Sequence, residues 1–284
     1  MPTYNSEGLV LECATEALEY LARQPYTSEL ILIDDGSQDN TFGEIQKLSQ
    51  KNHLVRGMCF EKNSGKGACI QRASSASLGQ YIIFTDIDLA YPIEEISKIL
   101  TALERGNDAA IACRVLQESR FTMSPSFFRY LYTRHLMGRF FNLIVRSFLL
   151  PEIYDTQAGL KGFRRDAAQK LFRKQTLRRF SFDVELLYIA RKLGLRVEQV
   201  AVNFRYFFEE SSVLFFKDTL SMLKDLLRIR LNDLRGIYDA PFPESLAKDT
   251  DPTPQPQKVL TPPQKTEPFQ PSPYPLPERE RKIG

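Results

Sequence analysis

The sequence predicts an α/β fold, a mostly parallel sheet lying between helices, and two features of its order lead to that prediction. Short apolar runs end in acids, as in Leu30-Ile31-Leu32-Ile33-Asp34-Asp35 and Tyr81-Ile82-Ile83-Phe84-Thr85-Asp86. Continuous apolar runs suit strands buried on both faces, the setting of a parallel sheet. Helix-periodic segments separate the runs, and strand–helix alternation is the pattern of a parallel α/β domain. Ligands of such sheets bind beyond the carboxyl ends of the strands, where these acids fall.

Taken in order, the chain opens on the turn Pro2-Thr3-Tyr4-Asn5. A sheet of this kind carries a strand before such a turn, so the first strand is expected to be missing. Helical patterns cover 9–23, 42–50, 66–77 and 93–105, and the acid-tipped strands 30–35 and 81–86 lie between them. A weaker strand, Ala109-Ala110-Ile111-Ala112, runs into Arg114. From Ser126 to Leu150 the pattern becomes a long helix in which His135, Arg139, Asn142 and Arg146 share one stripe. A second amphipathic segment, Leu214 to Leu234, carries Leu220, Leu223, Leu227, Leu231 and Leu234 on one stripe. Its basic residues Lys217, Lys224, Arg228 and Arg235 lie on another.

After Ala240 the composition breaks. Twelve of the seventeen prolines lie between Pro241 and Pro277, and six basic residues cancel six acidic ones over 241–284. Such a stretch reads as a disordered or polyproline-like tail. The expected division is therefore a main domain over 1–212 that includes the amphipathic helix 126–150, an amphipathic C-terminal helix over 213–240, and a Pro-rich tail over 241–284.

The 284 residues are 43% hydrophobic and 26% charged, so a sizeable core is affordable. The formal charge of +3 gives no support to a nucleic-acid partner. Cys13, Cys59, Cys69 and Cys113 show no zinc-binding spacing and fit reduced structural thiols in a cytoplasmic setting. The N-terminus has no secretory pattern, and no apolar stretch approaches the roughly 20 residues of a membrane span. Two basic clusters stand out: residues 113–150 hold six Arg against one Glu, and residues 161–179 hold eight basic residues against Asp166. The first shares its helix with aromatics, which suits peripheral contact with an anionic membrane surface.

Asp86-Ile87-Asp88 closes the second strand. At ~4 Å and an effective dielectric near 20, two carboxylates repel by roughly 4 kcal/mol. A divalent cation, magnesium or manganese, removes that repulsion and leaves coordination sites for phosphate oxygens. Asp-x-Asp alone is a common triplet and also reads as a solvated turn; its place at a strand end favours the metal. Asp34-Asp35-Gly36-Ser37 sits at an equivalent strand end, where a carboxylate can accept from a base or ribose, or merely cap a turn. Asn63-Ser64-Gly65-Lys66-Gly67 lacks the phosphate-loop spacing, and Ala68 stands where a hydroxyl is required, so an NTPase is excluded.

These segments occur in one order with Asp155-Thr156-Gln157-Ala158-Gly159-Leu160-Lys161-Gly162-Phe163 and Phe182-Asp183-Val184-Glu185-Leu186-Leu187-Tyr188. Together they resemble the family-2 glycosyltransferases, in the branch of polyprenyl-phosphate (dolichyl-phosphate-type) mannose and glucose synthases. The resemblance covers roughly residues 1 to 235 and implies a GT-A fold with membrane-surface helices. It also implies an inverting hexosyltransferase that takes a UDP-glucose or GDP-mannose type donor and a polyprenyl phosphate acceptor, with the glucose-type branch closer in wording.

By that resemblance Pro2, Tyr4, Asp35, Asn63 and Lys66 hold the nucleotide, and Asp86 and Asp88 hold the metal and diphosphate. Arg114 lies near the donor phosphates, while Arg134, His135, Arg139, Arg146 and Gln157 serve the acceptor phosphate. Asp155 positions the acceptor or acts as base. Ser6 stands where the family has Glu, and Ala90 replaces a polar residue that can complete the metal shell. Two alternatives stay open: a soluble glycan or protein acceptor, and a truncated non-catalytic scaffold, for which the missing strand argues. A membrane-protein partner is compatible with the peripheral placement.

Overall fold

Parallel pairing begins at the first residues. In the computed structural model, which describes residues 1–123, 138–139, 141–206 and 215–239, Pro2–Thr3 form strand β1 alongside β2, Leu30–Asp34. Met1 O accepts from Ile33 N at 3.0 Å and Thr3 O accepts from Asp35 N at 2.8 Å. The expectation of a missing first strand is therefore corrected. The residues read as a turn also make the strand, because proline at a strand's first position gives up no ladder bond.

β2 also pairs in parallel with β3, Val55–Cys59, giving the order β1-β2-β3. A second sheet has the order β4-β7-β5-β8, from Tyr81–Phe84, Lys161–Arg164, Ala109–Cys113 and Val197–Ala201. There β7 runs antiparallel to both β4 and β5, whereas β5 and β8 are parallel. The strands β6, Arg120–Met123, and β9, Asn203–Tyr206, form a separate parallel pair. The sheet system is mostly parallel, as expected, with β7 inserted against the grain.

Helices α1 (Glu7–Ala22), α2 (Thr41–Lys51), α3 (Lys66–Ala76) and α4 (Ile96–Glu104) follow the predicted segments within a few residues. Residues 141–148 form α5, followed by α6 (Arg165–Lys174), α7 (Phe182–Lys192) and α8 (Phe215–Leu234). Helix α7 is the buried one: every residue from Phe182 to Ala190 is shielded from solvent. Its Glu185 accepts from Thr176 N, Leu177 N and the Tyr238 hydroxyl, tying the end of α8 to the core.

The leucine stripe of α8 is not its core seam. Leu226 and Ile229 are buried, while Leu227, Leu231 and Leu234 are 56%, 49% and 83% exposed. Residues 126–137, with Arg134 and His135, the tail 241–284 and the side chains of Lys217 and Leu220 lie outside the described residues. Among the described residues no helix is long and apolar enough to cross a membrane.

Candidate active site

The carboxyl ends of β1, β2, β4 and β5 carry Tyr4, Asp35, Asp86 with Asp88, and Arg114, while Asn63 and Lys66 follow β3 and Asp155 and Gln157 precede β7. The first two ends are laced together. Asn5 N donates to Ser37 Oγ at 2.8 Å, Gln38 N to Asn5 Oδ1 at 2.9 Å, and Asn40 N to Glu7 Oε2 at 3.2 Å. Asn5 adopts φ +46, a left-handed conformation that asparagine tolerates. Tyr4 projects from this loop, 38% exposed, a ring available for a base to stack on. Pro2, by contrast, acts through its backbone in β1.

Asp35 is buried and accepts from Ser64 N at 2.6 Å and Gly65 N at 2.9 Å. Its carboxylate thus shapes the loop that presents Asn63, which is exposed, and Lys66. Gly65 has φ +97, and its position against the Arg178 carbonyl leaves no room for a Cβ. That requirement, and not phosphate binding, accounts for the glycine.

Lys66 reaches across to Asp86, its Nζ 2.6 Å from Oδ1. Burial alone would lower the Lys66 pKa; Asp86 first and Asp183 second outweigh it, so the ammonium is held above its ordinary range. Asp88 is raised, by burial and then by the charge of Asp86, and its Oδ1 accepts from Ala90 N at 3.0 Å. Between them Leu89 is forced to φ +46, a strained conformation for a bulky residue and of the kind found at functional sites. Gly159 backs directly onto Asp86 Oδ2, so close that a Cβ would collide.

These residues fit a hard divalent cation. Two oxygen donors repel each other at a strand end, and an ammonium already rests on one of them. Among the described residues no group of three His, Cys, Asp or Glu side chains converges. A cation here needs further oxygens, which a diphosphate or water supplies.

Just beyond β5, Arg114 is locked to Asp155. Arg114 Nε and Nη2 donate to its two oxygens at 2.7 and 2.9 Å, and Arg114 N adds a third bond at 3.0 Å. Burial would raise the Asp155 pKa, but Arg114 outweighs it and holds the carboxyl below its usual range. Both oxygens of this carboxylate are already taken up by the Arg114 guanidinium and backbone amides, an arrangement that suits positioning. Gln157 N donates to Asp155 Oδ1 at 3.2 Å, leaving its buried Nε2 without a partner among the described residues. Arg139 is exposed near the start of α5, and Arg146 lies over Tyr154 at 4.7 Å from the ring centre. Their neighbours Leu143 and Phe148 are 59% and 51% exposed.

Sequence reasoning quoted Lys161 and Asp183 within motifs but assigned them no role. They form an ion pair of 2.8 Å, with side chains 0% and 5% exposed. A lysine inside Leu160-Lys161-Gly162-Phe163 and an aspartate inside Phe182-Asp183-Val184 are charges in apolar runs, and that signal was available.

The family profile described as Glycosyl transferase family 2 matches residues 1–172. The dolichyl-phosphate beta-glucosyltransferase of Homo sapiens is 37% identical over 251 residues, covering 84% of this chain and 76% of that protein. The protein of the same name from Dictyostelium discoideum is 29% identical over 247 residues, with 84% and 75% covered. Among solved structures, glucosyl-3-phosphoglycerate synthase from Mycobacterium tuberculosis bound to phosphoglyceric acid gives a TM-score of 0.57 at 19% identity, covering 80% of this chain and 77% of that one. The same enzyme bound to Mn2+, UDP and glucosyl-3-phosphoglycerate gives 0.53 at 19% identity, covering 85% and 79%. The likeness establishes the GT-A fold.

Proposed function

This chain belongs to glycosyl transferase family 2, and we propose that it moves glucose from UDP-glucose to a polyprenyl phosphate of the dolichyl type, with inversion, at a membrane surface. The observation that carries the reading is the Asp86–Asp88 pair, held at a strand end with the Lys66 ammonium on Asp86. Relatives named dolichyl-phosphate beta-glucosyltransferase support the donor sugar and the acceptor.

A divalent cation, when bound, neutralises charge developing on the departing diphosphate. Asp86 and Asp88 would hold it, and Lys66 adds a positive charge beside the same phosphates. Tyr4 and the loop fixed by Asp35 hold the nucleoside, while Pro2 fixes the strand beneath. One acceptor phosphate oxygen forms a bond to the anomeric carbon as the bond from that carbon to the UDP oxygen breaks. UDP-glucose is α-linked, so a β product requires one in-line displacement. A phosphate monoester has its second pKa at about 6 and is already dianionic at neutral pH. It needs orientation by cations more than a base. Arg114, kept in place by Asp155, and Arg139, Arg146 and Gln157 on the acceptor side supply it in this reading, with Arg134 and His135 completing the basic stripe.

The exposed Leu143 and Phe148 beside Arg139, and the exposed leucines of α8, support peripheral contact with the bilayer that carries the acceptor. The test is a donor screen on the purified chain with a short polyprenyl phosphate. We expect UDP-glucose to be used well above GDP-mannose, with EDTA abolishing transfer. Transfer that persists fully in EDTA, or that ignores the polyprenyl phosphate and glucosylates a soluble acceptor, contradicts the reading.

A further inference from the structure

Three successive residues of β9 hold the loop that leaves the Asp86–Asp88 pair. Arg205 N donates to Ala90 O at 2.7 Å. Asn203 N and Nδ2 donate to the buried Glu95 at 3.2 and 2.9 Å. Between them the Phe204 ring packs on Tyr91, the two ring centres 6.3 Å apart and both residues buried. Tyr91 in turn shares a floor with the metal-side acid, because a Cβ on Gly159 would meet both Asp86 Oδ2 and the Tyr91 ring.

The Phe204 ring also reaches Arg114. Arg114 Cζ stands over it, 5.9 Å from the ring centre and within cation–π range. The bonds from Arg114 Nε and Nη2 to Asp155 fix one edge of the guanidinium but leave its plane free to tilt about that edge. The ring beneath limits that tilt. β9 is itself steadied by β6, where Phe121 pairs with Phe204 in register and their rings lie 5.9 Å apart. A branched aliphatic side chain at 204 would also suit a buried strand, but it would offer Arg114 no π face.

We propose that Phe204 is a positioning residue for glucosyl transfer. Seated on Tyr91 and beneath Arg114, it sets where the guanidinium stands relative to the Asp86–Asp88 loop. In the reading given above, on which this inference rests, that loop holds the donor diphosphate and Arg114 orients the acceptor phosphate. Their separation is then the path of the displacement.

The test is Phe204→Leu in the full chain, which keeps apolar volume and removes the ring face. With UDP-glucose and a short polyprenyl phosphate, kcat is expected to fall about tenfold, short of the ~10²-fold that a misplacement of about 1 Å can cost. The KM for UDP-glucose, and the UDP taken up per chain with Mn2+, are expected to stay within about twofold. Phe121→Leu takes away the ring on the other side of Phe204 and is expected to leave kcat within about twofold. In an Arg114→Met background, Phe204→Leu is expected to change kcat less than about twofold, because the two positions act through one another. A readout without turnover is the Arg114 Nε–H resonance, identified by its loss in Arg114→Met. Its exchange with water should be about tenfold faster in Phe204→Leu than in the wild type, since a tilting guanidinium opens its bond to Asp155.

Equal kcat losses from Phe204→Leu with and without Arg114 overturn the proposal, as does an unchanged Nε–H exchange rate. So does a Phe121→Leu loss as large as that of Phe204→Leu, which would make the cluster simple packing. UDP uptake that falls in step with kcat overturns it as well, because the ring would then be a requirement of folding. If the wild type itself transfers no glucose to the polyprenyl phosphate, the proposed activity fails first and this inference falls with it.

Discussion

The two sides of the site hold their acids by different means. On the donor side Asp34 and Asp35 are pinned by backbone N–H groups and a serine of the loops they shape: Ser37 for the first, Ser64 and Gly65 for the second. On the far side Asp183 is held by the Lys161 cation, and Asp155 by the Arg114 guanidinium together with the backbone amides of Arg114 and Gln157. A backbone amide cannot be removed by substituting a side chain, whereas a cation can. The donor side should therefore tolerate changes in the residues that cap its acids better than the far side does.

The pair between the two sides, Asp86 and Asp88, sets the scale. Asp86→Ala or Asp88→Ala is expected to cut transfer by ~10²–10³-fold or more, the usual loss when one stabiliser of developing charge is removed. Melting temperature should hardly move, since both groups sit at a mutually repulsive edge; circular dichroism and an initial-rate assay together check this. A large loss of stability would instead make the pair structural.

Next in size is the contrast between the caps. Arg114→Met removes the guanidinium from the buried Asp155 but leaves it two backbone amides, so the cost is expected below the ~3–5 kcal/mol of a fully broken buried pair, also because Arg114 is 31% exposed. Ser64→Ala keeps the amide that Asp35 uses, so its cost should stay within about 0.5 kcal/mol. Urea unfolding of the two variants measures both, and equal costs would break the comparison.

A smaller effect follows from Asp155 and pH. Its folded pKa is depressed by Arg114 despite burial. Its stabilisation is thus fully present above the ordinary carboxylate value of about 3.9 and is lost as pH falls through the folded pKa. Melting curves below about pH 4 should fall less steeply for Asp155→Asn than for the wild type. Parallel curves would show that the Arg114 pair contributes no acid sensitivity.

The smallest effect is at the surface. Arg139→Glu on the exposed start of α5 should leave stability within about 0.5 kcal/mol. Each basic residue near an anionic bilayer contributes about 1 kcal/mol, so binding to phosphatidylserine vesicles should weaken roughly tenfold or more on charge reversal. Co-sedimentation reads it, and unchanged binding would remove α5 from the membrane face.

Much of the fold was legible because its strands advertise themselves. β2, β4 and β5 are apolar runs, and their carboxyl ends carry Asp34, Asp86 and Arg114. β3 and β7 were not legible. Val-Arg-Gly-Met-Cys and Lys-Gly-Phe-Arg hold charges and glycines that break the pattern, and Lys161 is buried only because Asp183 arrives from a separate helix. β1 was misread since two residues make no periodicity. The Asp86–Asp88 pair could be read from its strand end. That Lys66 rests on Asp86 could not, because the loop carrying it is set by Asp35 and by the packing of Gly65 on Arg178. Which residues of α8 face the core was not legible from the leucine stripe: Leu226 and Ile229, off it, are buried, and of the stripe Leu223 packs against the core.

The central claim is a single displacement by an acceptor phosphate on a donor held at Asp86 and Asp88. Proton NMR of the anomeric centre in product made from UDP-glucose and a short polyprenyl phosphate tests it directly. The account predicts the β-glucosyl phosphate alone, formed in step with UDP release. An α-linked product, or free glucose released without any phosphodiester, would contradict it.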